Sequence, residues 1–134
     1  VAKLVANMSL FVVPWLLVCV ATLMVFWVSP IPDGFIPITV IVGIYLFLCY
    51  CVSWSVGMIS ESEGVAVFTM VFMNCLIGPV MFTFTRFSGI AVNISGAVPV
   101  WNAESIGVIL GQIIVILLAL FAAFYYQARK KTFL

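Results

Sequence analysis

The charged residues of this chain stand between its apolar runs, and that placement decides what it can fold into. Four stretches, about 10–28, 35–58, 65–85 and 105–126, contain no Asp, Glu, Lys or Arg. Acids fall between them, at Asp33, Glu61, Glu63 and Glu104, and a basic cluster, Arg129-Lys130-Lys131, follows the last. Arg86 alone breaks the rule, at the edge of the third stretch. Stretches of ~20 apolar residues match a hydrocarbon core of ~30 Å when they are helical. Lipid offers backbone amides no partner, so such segments must satisfy their hydrogen bonds internally. The runs are continuous rather than alternating, which excludes a transmembrane β-barrel. The pattern predicts an all-α integral membrane protein with four transmembrane helices, one domain over residues 1–134, with the lipid bilayer as its first partner.

Composition closes off other classes. Of the 134 residues, 66% are hydrophobic and 7% charged, against roughly 25% charged in a soluble domain. A net charge of +1 with no basic stripe gives nothing for nucleic acid to bind. The absence of histidine removes bis-His haem ligation, His-based zinc sites and Ser-His-Asp catalysis. No glycine-rich phosphate loop or Walker-type lysine is present, so the chain does not hydrolyse ATP by itself. No catalytic residue, metal site or cofactor is expected. Cys19, Cys49, Cys51 and Cys75 all lie inside spans, where they read as buried free thiols that pack as small apolar groups. Cys49 and Cys51 point to different helix faces, a poor chelate. The chain starts with Val, so it reads as processed or as a piece of a longer protein; the long first stretch with no small-residue cleavage site argues against a secretory signal peptide.

The punctuation also orients the spans. Pro14 is expected in the first turns of the first span, where a missing N–H costs least. Residues 29–34, with two prolines and Asp-Gly, form a tight turn, and 60–64 form a short acidic linker. Lys3 and the 129–131 cluster put both termini in the cytoplasm by the positive-inside rule. The third span contains Gly78-Pro79 and has no polar stop. After Arg86 the chain stays apolar but rich in small residues, through Pro99 to Trp101, which predicts a re-entrant or interfacial segment between the third and fourth helices, with Trp101 at headgroup depth. Asn93-Ile94-Ser95 is a glycosylation sequon on the outer side. Glu104 suits a helix N-terminus, whose dipole favours negative charge.

Few residues carry chemistry. Arg86 reads as an anion contact, a proton-path charge or a gating partner for Glu104; snorkelling to the interface is the competing account. Glu61 and Glu63 read as a solvated turn. Asn74 and Gln112 are amides inside spans, suited to interhelical hydrogen bonds or to a substrate. Gly107 and Gly111 make a small-xxx-small pattern that permits close helix contact.

One ordered set of features resembles the membrane domain of type-2 ABC exporters, above all the G family of white and pleiotropic-drug-resistance transporters. Ala2-Lys3-Leu4 is similar to the family's lead into its third helix. The Pro-containing turn from Ser29 to Phe35 resembles the one before its fourth. Ile59 to Gly64 resembles the cytoplasmic link into its fifth. Phe87-Ser88-Gly89-Ile90-Ala91-Val92-Asn93 and the following Pro99-Val100-Trp101 resemble its outer Phe-Ser-Gly and re-entrant segments. The fourth span with its basic tail resembles the sixth helix. The family's large outer loop before that helix has no counterpart, and Arg86 stands where the family has an apolar residue. The resemblance implies a dimeric pore powered by a separate ATPase domain, with Phe82 and Thr85 facing a substrate cavity and Ile90 and Ala91 forming a plug above it. It further implies a lipophilic or amphiphilic substrate. Two other functions fit the residues: a structural four-span subunit of a larger membrane complex, and a proton- or ion-conducting subunit using Arg86 with Glu104 or Gln112. Each implies a homo- or hetero-oligomer.

Overall fold

The computed structural model describes residues 2–28, 35–84, 86 and 101–131. Their regular structure is entirely helical: α1 (Ala2–Val28), α2 (Phe35–Ser60), α3 (Glu63–Cys75), α4 (Ile77–Phe84) and α5 (Ala103–Lys131). Three helical segments are long and apolar enough to cross a membrane: Phe35–Ser60, Glu63–Phe84 and Ala103–Lys130. Within α1, Val12–Val25 forms a shorter apolar stretch. The outer turn at 29–34, the sequon and the expected re-entrant segment at 87–100 lie outside the described residues.

The helices overrun the charge-free stretches because their ends are capped by polar residues. Ser62 caps α3, its hydroxyl accepting from the Val65 N–H at 3.4 Å, with Glu63 in the first turn where the dipole favours it. The 60–64 linker therefore shrinks to Glu61 and Ser62. Asn102 caps α5: its Oδ1 accepts from the Ser105 N–H at 2.8 Å and its carbonyl from Ile106 at 3.1 Å. α1 begins at Ala2, which places Pro14 in its interior rather than in a first turn. There the proline ring leaves the Leu10 carbonyl without its usual donor, a defect that membrane helices tolerate.

Pro79 breaks the third segment. It has no N–H for the Cys75 carbonyl, and its ring crowds that carbonyl. The chain turns at Leu76, whose N–H reaches back to Phe72 and Met73, each at 3.2 Å. Helix resumes as Val80 donates to the Leu76 carbonyl at 2.9 Å. From α2, the Tyr45 hydroxyl donates to the Met73 carbonyl at 2.8 Å, supplying a partner at the break.

α1 forms one unit (Val1–Pro32) and the remaining helices a second (Asp33–Leu134). In the second unit α2 packs against both α3 and α5. Against α3 it is antiparallel: Gly57 lies on Ala66 near the linker, and Tyr45 reaches Met73 farther along. Gly57 is where the two backbones approach, since a β-carbon there would fall 2.6 Å from the Ala66 Cβ. Against α5 the packing is parallel. Gln127 donates to the Met58 carbonyl at 3.1 Å, Lys130 pairs with Glu61, and Trp54 meets Phe124 at 6.3 Å between centroids. Contact on two sides explains why Cys49 and Cys51, on different faces of α2, are both buried. Cys75 is exposed, contrary to the expectation of buried thiols throughout, because it sits on the side of α3 away from α2.

Candidate functional site

The α3–α4 segment has two unlike faces. Ala66, Thr69, Met73, Leu76, Ile77, Val80 and Phe84 recur at helical spacing and are half-buried, with Ala66 and Met73 meeting α2. Opposite them, Phe68, Phe72, Phe82 and Arg86 share an exposed stripe, with Phe68 and Phe82 71% and 61% exposed. No residue of α3 or α4 is fully buried. The stripe ends in a cation–π contact: the Arg86 guanidinium lies 4.7 Å from the Phe82 ring centroid, one helical turn away. Arg86 also donates its backbone N–H to the Thr83 carbonyl at 3.0 Å, and the Thr83 hydroxyl donates to the Pro79 carbonyl at 2.9 Å.

The sequence-derived candidates thus separate into groups. Phe82 and Arg86 are brought together. Thr85, Ile90 and Ala91 lie outside the described residues. Glu104 stands exposed in the first turn of α5, whereas Gln112, farther along the same helix, is 7% exposed. These two do not share an environment. Neither intramembrane amide makes the expected interhelical bond. Asn74 donates to the Met70 carbonyl of its own helix at 2.8 Å, and both amide atoms of Gln112 are buried without a partner among the described residues. Gly107 and Gly111 are exposed, and a β-carbon at either would meet nothing within 4 Å, so their small-residue pattern does not serve the α2–α5 contact.

Two features escaped sequence reasoning. Glu61 is not merely a solvated turn residue, because it pairs with Lys130 and adopts a left-handed backbone, φ 57°. No spacing rule links positions 69 residues apart. The α5 seam, Ser105, Gln112, Ile116 and Ala123, was readable as a heptad-like series, but its neighbours are as apolar as it is. Among the described residues no group of three or more His, Cys, Asp or Glu is placed to hold a metal ion.

Comparison with known proteins supplies no relative: the chain matches no family model, no curated protein and no solved structure.

Proposed function

We propose that this chain is the membrane-embedded part of an exporter, moving a lipophilic or amphiphilic substrate outward with energy from a separate ATPase domain or subunit. α1 is the first of four spans, α2 the second, the broken α3–α4 pair the third and α5 the fourth, with both termini cytoplasmic. The parallel run of α2 and α5 fits that order, since one crossing between them reverses the chain and returns it. Residues 87–100 then lie at the outer mouth.

The observation that carries the transport reading is the exposed aromatic stripe along α3–α4. In a dimer of the implied kind this span lines a cavity. Phe68, Phe72 and Phe82 supply flat apolar walls suited to stacking and burial. Arg86 at the end of the stripe supplies a cation that favours an anionic or polar headgroup as substrate leaves. Phe82 is thus a cavity wall and Arg86 an exit contact, with Thr85, Ile90 and Ala91 assigned to wall and plug by resemblance.

Efflux of a fluorescent amphiphile from energised vesicles tests this. Phe82→Ala is expected to change efflux with little loss of assembly, while Leu118→Ala, equally exposed on α5, leaves it unchanged. ATPase activity should copurify with the intact complex. Absence of that activity together with unchanged efflux in Phe82→Ala would sink the reading and leave a structural subunit in its place.

A further inference from the structure

Gln112 is the polar group in this molecule whose surroundings ask for something else. It is 7% exposed, and neither its Nε2 nor its Oε1 has a partner. A glutamine amide offers two donors and an acceptor, so the shortfall is complete. Its position makes the shortfall costly. Gln112 lies nine residues into α5, which starts at Ala103, or ~14 Å along the helix and near the middle of a ~30 Å core.

The Ser55 hydroxyl, also buried without a partner among the described residues, is a weaker case. A helical serine turns to the carbonyl four residues back at little cost, as Ser53 does to Cys49 at 2.7 Å. Gln112 has no such turn in use.

One heptad from Gln112 toward the start of α5, on the same face, lies Ser105, which is fully buried. One turn the other way is Ile116, then Ala123, both buried and apolar. The partner helix is apolar at this level. Met58 with Gln127 and Glu61 with Lys130 are each 69 positions apart, and the same offset sets Gln112 level with Gly43 of α2, between the buried Ile41 and Tyr45, whose hydroxyl is committed to Met73. Between Ser105 and Gln112, Val108 and Ile109 are half-buried and apolar, so Gln112 is an isolated polar group in the α5 seam.

We propose that the buried Gln112 amide binds a small neutral group that both donates and accepts a hydrogen bond, either a water molecule or the hydroxyl of a lipophilic molecule. The amide is uncharged and its neighbours are apolar, so nothing there offsets the desolvation of an ion. The assignment replaces an ion or anion contact at this residue. It deepens the transport reading by giving the substrate class a hydroxyl, yet the binding measurement stands apart from export.

The test uses the isotopically labelled full chain in lipid nanodiscs, with the Gln112 side-chain amide signal identified by its loss in Gln112→Met. Magnetisation transfer from water to that amide is expected if water is the occupant. A saturable shift of the amide and of the Ile116 methyls with 1-octanol, but not with octane, is expected if a hydroxyl-bearing molecule takes its place. Gln112→Met should weaken the octanol response of the Ile116 methyls by about tenfold, the loss of a buried hydrogen bond. Either signal supports the site and names its occupant. An amide with neither water transfer nor octanol response overturns it.

Discussion

The close approach of α2 to α3 at Gly57 can be tested directly. Gly57 on α2 lies against Ala66 on α3, and a β-carbon added at 57 would stand 2.6 Å from the Ala66 Cβ, 3.6 Å from its Cα and 3.8 Å from the Ser62 carbonyl oxygen. Carbon pairs settle at roughly 3.5–4.0 Å, so Gly57→Ala forces the helices about 1 Å apart at this level. The rigid backbone of Ala66 cannot swing aside as a long side chain would. Only Glu61 and Ser62 join α2 to α3, so the strain falls on the hairpin itself. Overpacking of this kind costs about 1–3 kcal/mol, and a folded-to-unfolded ratio would fall by roughly five- to a hundred-and-fiftyfold. The intrinsic effect has the opposite sign, because alanine is favoured over glycine in a helix by ~1 kcal/mol. Gly107→Ala, where the added carbon meets nothing within 4 Å, should show that favourable sign. The decisive variant is the exchange: Gly57→Ala with Ala66→Gly moves the methyl to the other side of the same contact and should recover most of the loss. Unfolding by sodium dodecyl sulfate in mixed micelles, followed by helical circular dichroism, measures all four chains. Gly57→Ala as stable as the parent, or a double variant no better than the single, would refute the contact.

Two further substitutions probe how the second unit is held. Tyr45→Phe removes the hydroxyl that donates to the Met73 carbonyl at the helix break and should cost about 1 kcal/mol in the same titration, with faster amide exchange confined to residues around Leu76; unchanged exchange there would separate the tyrosine from the break. Glu61 combines a left-handed backbone with an exposed ion pair to Lys130. Glycine adopts that backbone freely, and exposed pairs contribute ~0–1 kcal/mol, so Glu61→Gly should be neutral or stabilising, whereas Glu61→Val, β-branched at positive φ, should lower the thermal midpoint. Equal midpoints for the two variants would show that φ at 61 carries no strain.

What could be read from the amino acids alone follows from one contrast. Charge against apolarity marks helix ends, so the limits of α2, α3 and α5 follow within a few residues from Ser60, Glu63 and Glu104. Gly78-Pro79 sets the third span apart, but the charge-free stretch runs unbroken over 65–85, and the interruption at Leu76 is seen only in the structure. The interior was not readable, because in lipid the inside and the outside of a bundle are equally greasy. Ile41 is 1% exposed and Leu118 62%, yet the two side chains are chemically alike. A soluble helix signals its buried face by polarity on the other; these helices send no such signal, and the pairing of α2 with α5 across 69 positions is invisible for the same reason.

Polar residues are then the only reporters of position, and they report through side-chain length. Asn74 and Gln112 carry the same amide, and both were expected to bridge helices. The short asparagine side chain stays near its own backbone and satisfies itself at the Met70 carbonyl, which lets it remain exposed on α3. Glutamine carries its amide one carbon farther from the helix axis. At 112 that extra reach places both amide atoms inside the seam against α2, among side chains that offer nothing back. An amide that can retreat to its own helix says little about function. One that is buried in an apolar seam, without a partner among the described residues, costs stability that an apolar residue at the same position would not, and so marks the place where a small polar molecule would matter most.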